Sequence, residues 1–598
     1  MYLVRAIASS LLLVAMAAPN VTYGQPTKVN AFGNPAHITP APTTAAITAR
    51  DLQIRLYQFA DDSMQGRQVG RFGNMKGTDM IAAEVKRLGL VPAGDNGTYF
   101  QVLPYHVRKF TNHSRLTVDG NPLAWNTEWT AVPGARAPRA ITNVDVVYGG
   151  VAGDSSTLIP AAQGAGKFVV LGASIRAPQA SGRGGFGAPQ SSPFPDAVAI
   201  ATVDLDALTP TQRVALNELT VSSSGGGARG GRGGAAANAP VDSMALLKAQ
   251  LAAMTPQAAI RLTREGAAQL FKGRMIEALS PGAKGAMVTA SLDYVELPTD
   301  WARNVVAIIP GSDPKLKHQY VAIGAHNDHV GMNAPVDKDS IRAYNIAKNR
   351  YLLAADMKQL AASGKMIADG YRVNMDSIRK IYPKPRLDSI NNGADDDGSG
   401  SMGVLEIAEA IAAMPVKPKR STLFVWHTGE EGGLVGSAFF VANPTVSLDS
   451  VVAQINIDMI GRGRAEDLPG GGPDYVGVVG SYFDSKDLGE TVQAVNKRLA
   501  KPLSLDYKFD DPIAWDGYNN IYGRSDHYNY AKSGVPIAFF FTGLHGDYHQ
   551  RSDEPEFIDY PHYAKIANYI RDLVVEVGNG PRPRLNGTKP AKPRVITP

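Results

Sequence analysis

Between residues 291 and 575 the chain alternates short apolar runs with stretches of helical periodicity. Asn304–Ile309, Tyr320–Gly324, Thr422–Trp426, Val451–Ile457 and Val535–Phe541 are rich in Val, Ile and Phe. Between them lie patterns such as Gly403–Met414, where Val404, Ile407, Ile411 and Met414 fall on one helical face. Near-continuous apolar strands separated by helices predict a buried α/β fold, a mostly parallel mixed sheet flanked by helices. Val336–Asn391 interrupts this pattern as an extra helical segment with 11 Lys and Arg against six Asp. Upstream, Ile81, Val85 and Leu88 predict a helix over Thr78–Leu88, within a compact piece over 51–139. A β-rich texture follows over 140–290, with strands expected at Val144–Tyr148, Phe168–Leu171 and Val198–Val203 and helices near Ser243–Met254 and Arg264–Phe271.

Other segments are read from composition. Arg5 followed by the apolar run Ala6–Ala18 reads as a secretory signal peptide over 1–24, with a linker over 25–50. The run is too short to span a bilayer, so an extracytoplasmic protein without stable membrane insertion is expected. Ala180–Pro195 and Ser222–Ala237 are Gly-rich and read as loops; their Arg-Gly-Gly runs lack the aromatic company of nucleic-acid readers. With 60 Lys and Arg against 55 Asp and Glu, the net charge of +5 demands no acidic partner, and no nucleic acid is expected. The tail over 576–598 is basic and proline-rich and is expected to be disordered. Cysteine is absent, which rules out disulfides, thiolate metal sites and cysteine nucleophiles. Any metal must be held by His and carboxylates.

Those residue types gather where the predicted strands end. Tyr320–Gly324 leads into His326, Asn327, Asp328 and His329. The extra helical segment leads into Asp395, Asp396 and Asp397 at a helix start. Thr422–Trp426 leads into Glu430 and Glu431, Val451–Ile457 into Asp458, and Val535–Phe541 into His545 and His549. Ligands and catalytic groups collect outside the carboxyl ends of strands in open α/β sheets. One such cluster is unremarkable as a turn or a helix cap. Repetition at successive strand ends points to a shared site, and two His with three carboxylates suit two zinc ions sharing a bridging carboxylate.

The ordered set Gly324-Ala325-His326-Asn327-Asp328, Gly393-Ala394-Asp395-Asp396, Glu430-Glu431 with Gly433, Leu434, Gly436 and Ser437, Asn456-Ile457-Asp458-Met459, and Tyr548-His549 resembles the two-zinc exopeptidases. That family includes secreted bacterial leucine aminopeptidases, with glutamate carboxypeptidase and the transferrin receptor as relatives. The resemblance covers 291–575 and 51–101; more weakly, 140–290 resembles an inserted protease-associated domain. It implies two Zn2+ per chain and peptide substrates. Asp395 would bridge the ions, His326 and Asp458 would complete one site, and Glu431 and His549 the other. Asp328 would orient the ring of His326, and Glu430 would act as general base. The Asp395–Asp396 peptide is expected to be cis, and His329 and His427 are expected to pack or support.

The leading expectation is a zinc aminopeptidase that removes N-terminal residues. A glutamate-type carboxypeptidase would need arginines for substrate carboxylates, and Arg462, Arg464, Arg524 and the basic segment are available. A glutaminyl cyclase or a non-catalytic receptor on the same scaffold would not need the full ligand set. Ser525, Asp526 and His527 hold the residue types of a hydrolytic triad, but consecutive side chains do not converge on one point.

Overall fold

The computed structural model describes residues 33–132, 140–152, 154, 156–173, 193–208, 213, 218–222, 257–354, 374–468, 470–510 and 521–587. The leader, the start of the linker, most of both Gly-rich stretches, the helix expected at Ser243–Met254, part of the helical segment and the end of the tail lie outside the described residues.

Among the described residues the central sheet has nine strands: β1 (Val91–Pro92), β2 (Phe100–Val102), β3 (Arg303–Ile309), β4 (Tyr320–His326), β5 (Ser421–His427), β6 (Val451–Ile457), β7 (Tyr475–Val479), β8 (Ser504–Asp506) and β9 (Ile537–Phe541). Their order is β1-β3-β5-β4-β6-β9-β7-β8, with β2 also paired to β3. β5, β4, β6 and β9 run parallel, so their carboxyl ends share one edge. β3 and β7 run antiparallel to their neighbours β5 and β9 and make the sheet mixed.

The helices that matter for the site are α1 (Ala49–Phe59), α2 (Phe72–Arg87), α3 (Lys338–Ala354), α4 (Gly400–Ala413), α5 (Val435–Ala442), α6 (Lys486–Lys497) and α7 (Tyr560–Asn579). α1, α2, α4, α6 and α7 cover one face, where Leu56, Ile81, Ile407, Val492 and Ile570 share a core with Ile323 and Ile455. α5 helps cover the other, with Phe440 packed among Leu423, Val425 and Phe539. α4 is buried on all sides, including Glu406 and Glu409, and both carboxylates pair with the buried guanidinium of Arg55 from α1.

A second sheet of eight strands runs from Arg115–Val118 to Lys284–Ser291 and has its own core around Trp129, Phe168 and Val288. It takes in Arg115–Val118, Asn121–Pro122 and Trp129–Val132, upstream of the boundary expected at 140. Alternation there is confined to short stretches such as Leu116 and Val118, which are buried while Arg115 is exposed. The chain leaves along Tyr105–Phe110 and returns along Tyr294–Thr299, which pair antiparallel, so this sheet is an excursion from the central one.

The extra segment is not purely helical: Met332–Asp337 and Leu387–Ile390 close its base as an antiparallel ribbon. The tail also departs from expectation. Residues up to Asn579 are helical, and Asn586 donates to the carbonyls of Tyr482 and Phe483, 2.9 Å each, while Arg584 pairs with Asp487.

Candidate metal centre

β4 ends in His326, level with His427 at the end of β5, and Asp458 follows β6 directly. The loop entering α4 is fixed from several directions. Asp397 accepts the backbone N–H groups of His326 (3.0 Å), Gly400 (2.8 Å) and Met459 (3.1 Å), tying together two strand ends and a helix start. Asp553 accepts the N–H groups of Asp395 and Asp396. Arg67, fully buried, donates to the carbonyls of Phe59 (2.9 Å), Asn392 (2.7 Å) and Gly393 (2.8 Å), so the N-terminal segment holds the same loop. Gly393 has φ +55°, and a Cβ there would run into the Asp396 carbonyl and the ring of His329.

Two groups of side chains converge beyond this loop. His326, Asp396 and Asp458 form the first; His329, Asp396, Glu431 and His549 form the second. Asp396 belongs to both: Oδ1 lies 3.2 Å from His326 Nε2 and Oδ2 lies 2.8 Å from His549 Nε2. Asp458 Oδ1 is 3.7 Å from His326 Nε2, and Glu431 Oε2 is 2.9 Å from His549 Nε2. Ser525 donates to Asp458 Oδ2 at 2.7 Å and receives a bond from Asn456 at 3.0 Å, which fixes the Asp458 carboxylate.

The shared carboxylate is therefore one residue later than expected. Asp395 points away: Oδ1 accepts from Gly461 N (2.6 Å) and Ser399 Oγ (2.8 Å), and Oδ2 lies 3.2 Å from His545 Nε2. The cis peptide is likewise Asp396–Asp397, not Asp395–Asp396. His326, Glu431, Asp458 and His549 are brought together. Asp328 meets the His326 ring chiefly through its backbone carbonyl, 3.0 Å from Nδ1, while its carboxylate accepts the Glu430 N–H at 3.1 Å. Glu430 stands outside both groups, with Oε2 3.9 Å from His326 Nε2. His329 was expected only to support, yet it stands in the second group; the signal was its place three residues after His326. His427 does support: Nε2 meets the Tyr530 hydroxyl at 3.0 Å, and burial drives its pKa down to about 3. Ser525 donates to Asp458, His527 Nε2 meets the Tyr522 carbonyl at 2.7 Å and Asp526 lies 3.5 Å from the His427 ring, so the three form no triad.

The donor set fits cations. His326 Nε2, Asp396 Oδ2, Asp458 Oδ1, His329 Nδ1, Glu431 Oε1 and His549 Nε2 are all buried without a hydrogen-bond partner. Such atoms are costly unless a ligand satisfies them. Burial opposes charge on His549, yet Glu431 and Asp396 outweigh it and push its pKa up to about 10. Burial also opposes charge on Glu431, and His549 pulls its carboxyl down to about 2. Glu430 behaves differently: burial, with Asp458 and Glu431 adding to it against His326, holds its carboxyl well above the usual range.

A pocket opens onto this edge. Asp396, Glu430 and Asp458 line its floor; Met459, Ile521, Phe539, Phe541 and Leu544 supply apolar wall, and Arg524 and Tyr548 supply polar groups. Tyr548 stacks on His549 with ring centroids 3.8 Å apart. Arg462 is tied to Asp467 (2.7 Å) and Asp547 (3.2 Å), and Arg464 to Asp559.

Residues 304–574 match Peptidase family M28. The chain is 31% identical over 160 residues to leupeptin-inactivating enzyme 1 of Streptomyces exfoliatus, covering 26% of this chain and 31% of that protein. It is 28% identical over 194 residues to leucine aminopeptidase 1 of Fusarium vanettenii, covering 31% of this chain and 46% of that protein. The chain thus spans less than half the length of each of these two relatives. Among solved structures, BSAP, a zinc aminopeptidase from Bacillus subtilis, aligns over 92% of this chain and 99% of its own at 15% identity and a TM-score of 0.48. A peptidase M28 precursor from Shewanella amazonensis aligns over 91% and 97% at 14% identity and a TM-score of 0.42.

Proposed function

Since residues 304–574 match Peptidase family M28, we propose that the chain is a zinc-dependent aminopeptidase working outside the cytoplasm, with two ions per chain. The observation that carries this reading is the pair of His and carboxylate groups sharing Asp396 at the carboxyl edge of the parallel strands. His326, Asp396 and Asp458 would hold one ion; Asp396, Glu431 and His549 would hold the other. Bound zinc supplies Lewis-acid polarisation of the scissile carbonyl and a more acidic water. Glu430, next to the first group but not in it and ionised where neighbouring cations offset its burial, takes the proton of the attacking water on its carboxylate. It then gives that proton to the amine nitrogen as the C–N bond breaks. Asp328 accepts the Glu430 N–H and so fixes the start of the Glu430–Glu431 pair. The apolar wall around Ile521, Phe539 and Leu544 would receive the N-terminal side chain of the substrate. We read 140–290, extended upstream to 115, as the protease-associated-like insert. Extracytoplasmic placement rests on the apolar run Ala6–Ala18. Among the described residues, no helix is long and apolar enough to cross a membrane.

The carboxypeptidase alternative loses most of its candidate arginines. Arg462 and Arg464 pair with carboxylates, as do Arg342, Arg379 and Arg386 of the basic segment. Only Arg524 among the three arginines weighed for that reading lines the pocket. A mass-spectrometric time course on peptides with free or acetylated N-termini, with and without a chelator, separates the readings. Stepwise loss from free N-termini, abolished by the chelator, is the expected result. Glu430→Ala should keep both zincs and lose about 10²–10⁴ in turnover. Trimming from the C-termini of acetylated peptides would overturn the aminopeptidase reading, and near-normal turnover in the variant would remove Glu430 as base.

A further inference from the structure

The two groups of side chains are unequal. The first offers three residues, His326, Asp396 and Asp458; the second offers four, because His329 joins Asp396, Glu431 and His549. His329 is fully buried, and neither ring nitrogen has a hydrogen-bond partner. Its Nδ1 lies 2.8 Å from Glu431 Oε1 and 3.9 Å from Asp396 Oδ2. Neither Nδ1 nor Oε1 has a well-aligned hydrogen-bond partner, so the shorter contact is a close approach of two buried polar atoms. With Asp396 and His549 these residues offer ligand atoms that all lie within 4.8 Å of one another, close enough to share one cation.

The ring is held there by the fold. The His329 N–H donates to the Arg67 carbonyl at 3.1 Å, and the imidazole meets His549 edge to face at 5.5 Å. The ring has room only because residue 393 is glycine: a Cβ there would lie 2.5 Å from both Cγ and Cδ2 of His329. An ordinary packing histidine would leave both ring nitrogens buried without a well-aligned partner, which is costly.

We propose that His329 is a fourth protein ligand of the second ion, which makes the two metal sites unlike in affinity and in openness. This rests on the two-metal reading above. Four protein ligands give zinc a closed shell of the kind found in structural sites, whereas three leave an open position. The ion held by His329, Asp396, Glu431 and His549 is therefore taken up first and kept longest. The ion held by His326, Asp396 and Asp458 exchanges more readily and has the open position facing the pocket and Glu430.

The test is zinc titration of the metal-free full chain against a competing chelator, with X-ray absorption at one equivalent of zinc. Two binding steps are expected in the wild type, and the tighter one should show two imidazole nitrogens. His329→Ala should weaken the tighter step by about 100-fold, at or beyond the upper end of what supporting residues cost, and reduce the count to one imidazole. Asp458→Asn should weaken only the looser step. A single imidazole at one equivalent in the wild type, or an unchanged tight step in His329→Ala, would overturn the proposal while leaving two-metal binding intact. Uptake of one zinc or none by the wild type would instead defeat the two-metal reading itself. Because the wild-type absorption spectrum decides alone, a poorly folding variant does not shelter the idea.

Discussion

Asp395, Asp396 and Asp397 are adjacent in the chain, yet their carboxylates face three different environments. Asp397 is consumed by backbone N–H groups, and Asp395 by Gly461 N, Ser399 Oγ and the neighbourhood of His545. Only Asp396 sends one oxygen to each group of ligands. Replacing its carboxylate with an amide removes a negative charge shared by both sites without changing the side chain's size. Asp396→Asn should therefore bind fewer than two zinc ions per chain by elemental mass spectrometry, and Asp395→Asn should keep two. Full loss in Asp395→Asn with retention in Asp396→Asn would restore the earlier residue as the bridge. The three-Asp run shows why the sequence is ambiguous by one position here. Nothing in it distinguishes a carboxylate that caps backbone from one that faces a cation, because the partners that decide, Gly461, Met459 and His545, are distant in the chain.

At the scale of elements, the ribbon-and-helix segment between β4 and the Asp395–Asp397 loop is clamped onto the loop that carries His549. Arg342 of α3 pairs with Asp547 and lies over the Phe557 ring, and Asn345 donates to Asp547 (3.2 Å) and Ser552 (3.1 Å). Nearby, Glu554 is buried where Lys338, 3.5 Å away, only partly offsets the loss of water, and its pKa is pushed up to about 8. The native state thus holds a proton on Glu554 that the unfolded chain releases near its ordinary pKa of about 4.3. Since the folded form binds more protons between these values, stability falls as pH rises from about 4.5 to 8. The shift corresponds to a loss on the order of 4 kcal/mol across that window. Glu554→Gln cannot titrate, so urea denaturation at pH 5 and pH 8 should show a smaller pH dependence than in the wild type. An identical dependence would mean that Glu554 is already ionised in the native state. Elements with long apolar runs were legible in the sequence, including β3 to β6, β9 and α4. The short strands over 105–132 were not, because pairing partners such as Tyr294–Thr299 and Lys284–Ser291 lie far along the chain. The position of His329 was hidden for the same reason: Gly393, which leaves room for its ring, comes from another element.

In the whole molecule the candidate metal centre lies where separate parts of the central unit meet. Arg67 brings in the N-terminal segment, Asp397 joins β4, β6 and α4, and Asp553 holds the Asp395–Asp396 amides. The carboxylates of Asp396, Glu430, Glu431 and Asp458 crowd together among the imidazoles of His326, His329 and His549, and a bound cation would relieve their mutual repulsion. Anything that binds only the native state stabilises it, by about 2.7 kcal/mol for each site at a free concentration 100 times its Kd. Two such sites contribute about 5 kcal/mol, or roughly 7 °C in melting temperature for a central unit of about 340 residues at about 2.1 cal/mol/K per residue. The second sheet has its own core around Trp129, Phe168 and Val288 and contributes no residue to either group of ligands. Calorimetry with and without a chelator should therefore show one transition falling by about 5–10 °C while another stays in place. If both transitions moved together, the two sheets would form one cooperative unit and the excursion through residues 115–291 would not be an independent domain. If neither moved, the centre would not hold native-state metal tightly enough to matter for the fold.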